Sequence, residues 1–211
     1  MWNLPNILTL LRIALIPILI VIFYLPWEWR YVASASIFGF AAATDWLDGY
    51  LARKLNQFTP FGAFLDPVAD KLIVSAALIL LLQAHATALF ALPAVVIISR
   101  EIVISALREW MAELGNRTSV AVSYVGKVKT ALQMIAITVL LAVDPVAYPL
   151  WDHVGMVLLY IAAILTLWSM VIYLKAAWPE LSRVPVKEEE DLLESSIETP
   201  VENPIENKES T

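Results

Sequence analysis

Apolar and polar positions alternate along this chain on the scale of whole helices rather than of single turns. Apolar runs at 12–25, 32–52, 61–82, 86–107, 128–143 and 154–174 are separated by short polar connections. A run of about 20 such residues rises far enough as a helix to cross roughly 30 Å of hydrocarbon. The pattern therefore predicts an all-α integral membrane protein with six transmembrane helices. Residues 2–10, which mix polar and apolar positions around Pro5, suit a short interfacial helix ahead of the first span. Trp27 and Trp29, at the end of that span, suit an interfacial aromatic belt.

Composition agrees with a membrane protein: 60% of the 211 residues are hydrophobic and the mean hydropathy is +0.72. The net charge of −6 is misleading as a global property, because residues 180–211 hold ten acids against three bases. The sequence thus divides into a six-helix membrane domain, 1–178, and an acidic tail, 179–211, too polar to bury a core and expected to be disordered and cytoplasmic. No internal repeat is evident. With no cysteine, disulfides, thiol nucleophiles and Cys-ligated zinc are excluded. Arg12, the apolar run after it and Ala33-Ser34-Ala35 imitate a cleaved signal peptide, but the preceding Asn3-Leu4-Pro5-Asn6 lacks a basic cluster, so the segment is expected to be retained. Lys and Arg concentrate in the N-terminal segment, the 53–54 loop, the 108–129 loop and the C-terminal flank, whereas the opposite loops hold only Arg30. The positive-inside rule puts both termini in the cytoplasm. Such bases flank helices, and nucleic acid is not an expected partner.

Four carboxylates interrupt this apolar background. Asp45 and Asp48 are three apart near the end of the second run, and Asp66 and Asp70 are four apart near the start of the third. Each pair shares one helix face, and the connection between the runs is short enough for a turn between antiparallel neighbours. Both pairs then sit at one depth, near the cytoplasmic surface. Each carboxylate costs roughly 2.5 to 3.5 kcal/mol at helix-centre depth, so four would cost on the order of 10 kcal/mol before their mutual repulsion. Converging oxygen ligands without His or Cys suit hard divalent cations, Mg²⁺ or Mn²⁺. Two such ions form a clamp for displacement at phosphate. Gly49 leaves room beside Asp48, and Arg53 offers a fork for phosphate oxygens.

The spacing D-x2-D-G-x2-A-R-x8-G-x3-D-x3-D is met by Asp45, Asp48, Gly49, Ala52, Arg53, Gly62, Asp66 and Asp70. It resembles the signature of the CDP-alcohol phosphatidyltransferases. The likeness extends over roughly 3–178, through NLPNILTLLRIALIP, DPVADKL, SREIVISALREWMAELG and SVAVSYVGKVKTALQ, and points to the branch that uses sn-glycerol 3-phosphate. The resemblance implies CDP-diacylglycerol as donor, a bacterial inner-membrane location with the site on the cytoplasmic side, and membrane lipid as surroundings. A homodimer is common among similar enzymes, though nothing in these residues demands one. It also implies that Asp45, Asp48 and Asp66 hold the metal pair, that Asp70 ligates and acts as base, and that Gly49, Arg53 and Thr59 contact the donor. Asn6 and Thr9 are further candidates for the cytidine end.

Arg100 and Arg108 are eight apart, roughly on one face of the fourth helix, and with Lys127 they are candidates to hold the acceptor phosphate. The bland reading of such bases is topological anchoring. Glu101 is expected to pair with a neighbouring base, and Lys71 to snorkel. His85 and His153 fall on the far side from the carboxylates, and Asp144 and Asp152 read as solvated loop residues. Three competing readings remain: a family relative with a neutral or zwitterionic acceptor (serine or inositol), which needs fewer of these bases; a relative that takes phosphatidylglycerol as acceptor, as a cardiolipin synthase does; and a carboxylate-based ion transporter, which needs no diphosphate cradle.

Overall fold

The computed structural model describes residues 4–55, 59–113 and 124–182. These residues form six helices in sequence: α1 Leu4–Tyr24, α2 Arg30–Leu55, α3 Pro60–His85, α4 Ala88–Glu113, α5 Tyr124–Ala142 and α6 Pro149–Leu181. Three of them are long and apolar enough to cross a membrane, over Asn6–Tyr24, Ala88–Glu113 and Pro149–Trp178, and Val128–Ala142 is a shorter apolar helix. The chain is an all-helical membrane protein.

Helix α1 packs on α2 and α3, α5 on α6 and α2, and α4 on α6 and α3. The shared core runs through Leu19, Phe38, Leu78, Phe90, Ile97 and Ile137, all essentially buried. Without a hydrophobic drive between helices in lipid, close approach rests on small residues. Ala35, Ala41, Ala77, Ala94, Ala136 and Ala163 supply them here. Gly155 does the same for α5 and α6, since a Cβ there would lie 2.6 Å from Leu140 Cγ. Large apolar side chains such as Phe40, Leu89, Leu92 and Ile164 stay exposed, as a surface facing lipid tails requires.

Two expectations are corrected. Residues 4–10 are not a separate interfacial helix: α1 runs unbroken from Leu4 to Tyr24. Pro5 falls in the first turn, where a missing N–H costs nothing, and the polar positions Asn6, Thr9 and Arg12 are buried rather than turned to a membrane surface. Nor is Asp152 a solvated loop residue. Helix α6 begins at Pro149, so Asp152 lies in its first turn, where its Oδ1 is 2.7 Å from His85 Nε2. That pair ties the end of α3 to the start of α6, with the His85 ring stacked on Phe90 at 4.6 Å.

Candidate active site

The end of α2, the start of α3 and the start of α1 meet at one polar cluster. Helix α3 is started by Thr59, whose extended backbone and side-chain oxygen cap it by accepting from Gly62 N–H at 3.0 Å, with Pro60 following in the first turn. The Thr59 hydroxyl also donates to Asn6 Oδ1 at 3.0 Å, which pins the start of α3 to α1. Gly62 makes this contact sterically feasible: a Cβ would lie 2.5 Å from Asn6 Oδ1 and 3.1 Å from Thr59 Oγ1. Its place in the acidic signature therefore has a packing reason.

Asn6, Thr9 and Arg12 recur every three residues and so form one stripe along α1. The stripe faces the carboxylates. Thr9 Oγ1 donates to Asp66 Oδ1 at 2.5 Å, and Arg12 Nη1 donates to Asp45 Oδ1 at 2.8 Å. Arg12 is fully buried whereas Asp45 is 43% exposed, so a cation on α1 holds an open carboxylate on α2 from beneath. Sequence reasoning missed Arg12 as a site residue, reading it only as the start of a span. The signal was the three-residue polar stripe, whose meaning depended on knowing what faces it.

Asp70 lies one turn deeper on α3. Its Oδ1 is buried and receives no hydrogen bond from the described residues, while Asp45, Arg12, Glu101 and Lys71 are its electrostatic neighbours. The described acids offer oxygen ligands only, and a buried carboxylate oxygen without a donor is what a hard divalent cation would satisfy, so these residues fit such an ion. Among the described residues no three His, Cys, Asp or Glu side chains already form a metal-holding group. Asp48, Gly49 and Arg53 lie on α2 and Lys127 on α5, but their side chains fall outside the described residues.

Beyond Asp70 a second polar cluster joins α4, α5 and α6. Arg100 Nη1 and Lys129 Nζ both donate to Glu101 Oε1, at 3.0 and 2.6 Å. Arg100 Nη2 donates to Ser169 Oγ at 3.0 Å, and its guanidinium carbon lies 5.7 Å from the centre of the Tyr173 ring. Glu101 pairs with bases as expected, but the candidate acceptor bases differ in setting. Arg100 is buried and Arg108 is exposed, because eight residues at 100° each leave the two about 80° apart around the helix. Lys71 donates to Ser105 Oγ on α4 instead of snorkelling to the surface. Lys129, a base on α5, is also buried within this cluster.

Fold and site together define a helical membrane protein with an acidic polar centre where α1, α2 and α3 meet. The chain belongs to the CDP-alcohol phosphatidyltransferase family, whose model matches residues 2–168. It is 58% identical to a CDP-diacylglycerol–glycerol-3-phosphate 3-phosphatidyltransferase of Pseudomonas fluorescens, over 92% of this chain and 98% of that protein. It is 54% identical to the protein of the same name from Salmonella choleraesuis, over 85% of this chain and 97% of that protein.

Proposed function

We propose that this protein transfers the phosphatidyl group of CDP-diacylglycerol to sn-glycerol 3-phosphate, releasing CMP and giving phosphatidylglycerophosphate. The observation that supports this reading is the polar stripe of α1, whose Thr9 and Arg12 reach Asp66 and Asp45, with Asp70 an electrostatic neighbour of Asp45 and Arg12, beside a second cluster rich in bases. The names of the two relatives supply the substrates.

In this reading Asp45, Asp48, Asp66 and Asp70 hold two divalent cations, Mg²⁺ or Mn²⁺, which when bound offset charge on the donor diphosphate and the departing CMP. Asn6, Thr9, Gly49, Arg53 and Thr59 form the donor side of the site. The acceptor hydroxyl attacks the phosphorus that bears the diacylglycerol, the bond from that phosphorus to the CMP oxygen breaks, and the hydroxyl proton passes to Asp70. Arg12 keeps the Asp45 carboxylate aimed, and Thr9 does so for Asp66. The acceptor brings about two negative charges beside aspartates and therefore needs a cationic pocket. Arg100, Arg108 and Lys127 supply it, and Lys129 adds a base on the same side. A neutral acceptor would make less use of this excess of bases, since Arg100 and Lys129 share the single carboxylate of Glu101.

The bilayer arrangement belongs to the same proposal: six transmembrane helices, both termini and the site on the cytoplasmic side of the bacterial inner membrane, and residues 179–211 as a tail outside the catalytic domain. Its support is the distribution of Lys and Arg along the sequence. Incubating the purified protein with CDP-diacylglycerol and candidate acceptors, and following CMP release, tests the activity. Release should depend on sn-glycerol 3-phosphate and on a divalent ion. Preference for serine, inositol or phosphatidylglycerol would reject the assignment.

A further inference from the structure

Between α3, α4 and α5 lies a small cavity of about 50 Å³, lined by Asp70, Lys71, Glu101, Thr130 and Gln133 together with two apolar side chains. Two of the oxygens at its wall have no donor among the described residues: Asp70 Oδ1 and Gln133 Oε1 are both buried and unpartnered there. Gln133 is only 4% exposed. Leaving such a group unsatisfied is costly, so its persistence points to a ligand that supplies the missing bond. The donors nearby have other partners: Lys71 reaches Ser105, Lys129 reaches Glu101, and the Thr130 hydroxyl donates to the Gly126 carbonyl at 3.0 Å. The cavity has room for a group of about one or two waters, too little for a cyclitol ring.

A vicinal diol matches this demand. sn-Glycerol 3-phosphate carries a terminal hydroxyl, which attacks, and a second hydroxyl on the adjacent carbon, which does not react. We infer that Gln133 is a specificity-determining residue whose side-chain amide binds the non-reacting C2 hydroxyl of the acceptor while Asp70 faces the reacting one. The inference rests on the acceptor assignment proposed above and goes beyond it, because charge alone selects a phosphate and not a diol. A hydroxyl both donates and accepts, so it satisfies the amide in either orientation about its terminal bond.

The test compares sn-glycerol 3-phosphate with 3-hydroxypropyl phosphate, which keeps the phosphate and the reacting hydroxyl but lacks the C2 hydroxyl. CMP release is measured for both with the full-length protein in detergent or nanodiscs containing CDP-diacylglycerol. The unmutated protein should favour sn-glycerol 3-phosphate in kcat/KM by at least about tenfold, because the analogue leaves a buried polar group unpaired. Gln133→Met, of similar length and without the polar amide, should bring that ratio below about threefold, chiefly by loss on sn-glycerol 3-phosphate. A ratio near one in the unmutated protein would overturn the inference without any variant. So would a Gln133→Met protein that loses activity toward both acceptors in parallel, which is the mark of a packing role. If the unmutated protein turned over neither compound but used a different alcohol, the acceptor assignment itself would fall and this inference with it.

Discussion

The two polar clusters inside this bundle are built with opposite balances of charge. Where α1, α2 and α3 meet, Asp45, Asp66 and Asp70 face two cations among the described residues, Arg12 and the more distant Lys71, and the Thr9 hydroxyl. Where α4, α5 and α6 meet, Arg100 and Lys129 converge on one carboxylate, Glu101. The first therefore has an excess of negative charge and the second an excess of positive charge. An acid-rich centre suits cations and, through them, a diphosphate; a base-rich one suits a free phosphate. Asp70 stands between the two, with Asp45 and Glu101 both among its electrostatic neighbours. Two anionic substrates can thus be held side by side without a covalent intermediate, and no Ser, Cys or His among the site candidates is needed as a nucleophile.

Breaking the acidic side should have the largest effect. Asp66→Asn or Asp48→Asn should leave turnover at background while the protein still inserts, and excess chelator should do the same to the unmutated protein. CMP release with and without added Mg²⁺ checks both. Asp70→Asn should lower kcat by about 10² to 10⁴, as loss of a general base does, with a smaller change in donor KM. Equal losses in donor binding and turnover would make Asp70 a ligand only.

The basic side should respond differently. Arg108→Ala should raise the KM for sn-glycerol 3-phosphate by about tenfold or more, because losing a charge-assisted contact costs on the order of 1.5 to 3 kcal/mol. Donor KM and thermal stability in detergent should barely change, since Arg108 is exposed. Arg100→Ala should show the same rise in KM and a lowered melting temperature, since Arg100 is buried against Glu101 and Ser169. Unchanged acceptor KM in both variants would remove the proposed phosphate pocket.

Gly62→Ala and the far end of the bundle give the smaller effects. An added methyl group at Gly62 must push Asn6 away from Thr59, and overpacking of this kind costs about 1 to 3 kcal/mol. Turnover should fall severalfold with the aspartates intact, and Asn6→Ala on top of Gly62→Ala should restore part of the lost stability. Asp152→Asn weakens the link to His85 at the opposite end and should cost about 1 kcal/mol of stability. Its kcat/KM should remain within about twofold of the unmutated protein, and a larger loss would mean that the two ends are coupled.

What the sequence determined by itself is what depends on neighbours along one helix. Spacings of three and four predict that Asp45 with Asp48 and Asp66 with Asp70 share helix faces, and the long apolar runs marked six helices but left their ends off by as much as eight residues, from 12 to Leu4 at the start of α1. The start of α6 was set too late because His153 and Asp152 look like loop residues until a partner for Asp152 is known. That partner, His85, is 67 positions away. Tertiary structure likewise decided the meaning of Arg12, 33 residues from Asp45, and of Lys129, 28 residues from Glu101. Gln133 carried no signal at all: a lone amide in an apolar helix says nothing until the cavity it lines is seen. The physical reason is the same in each case. A buried polar group takes its role from whatever satisfies it, and in a bundle that partner lies on another helix, beyond the reach of any local pattern.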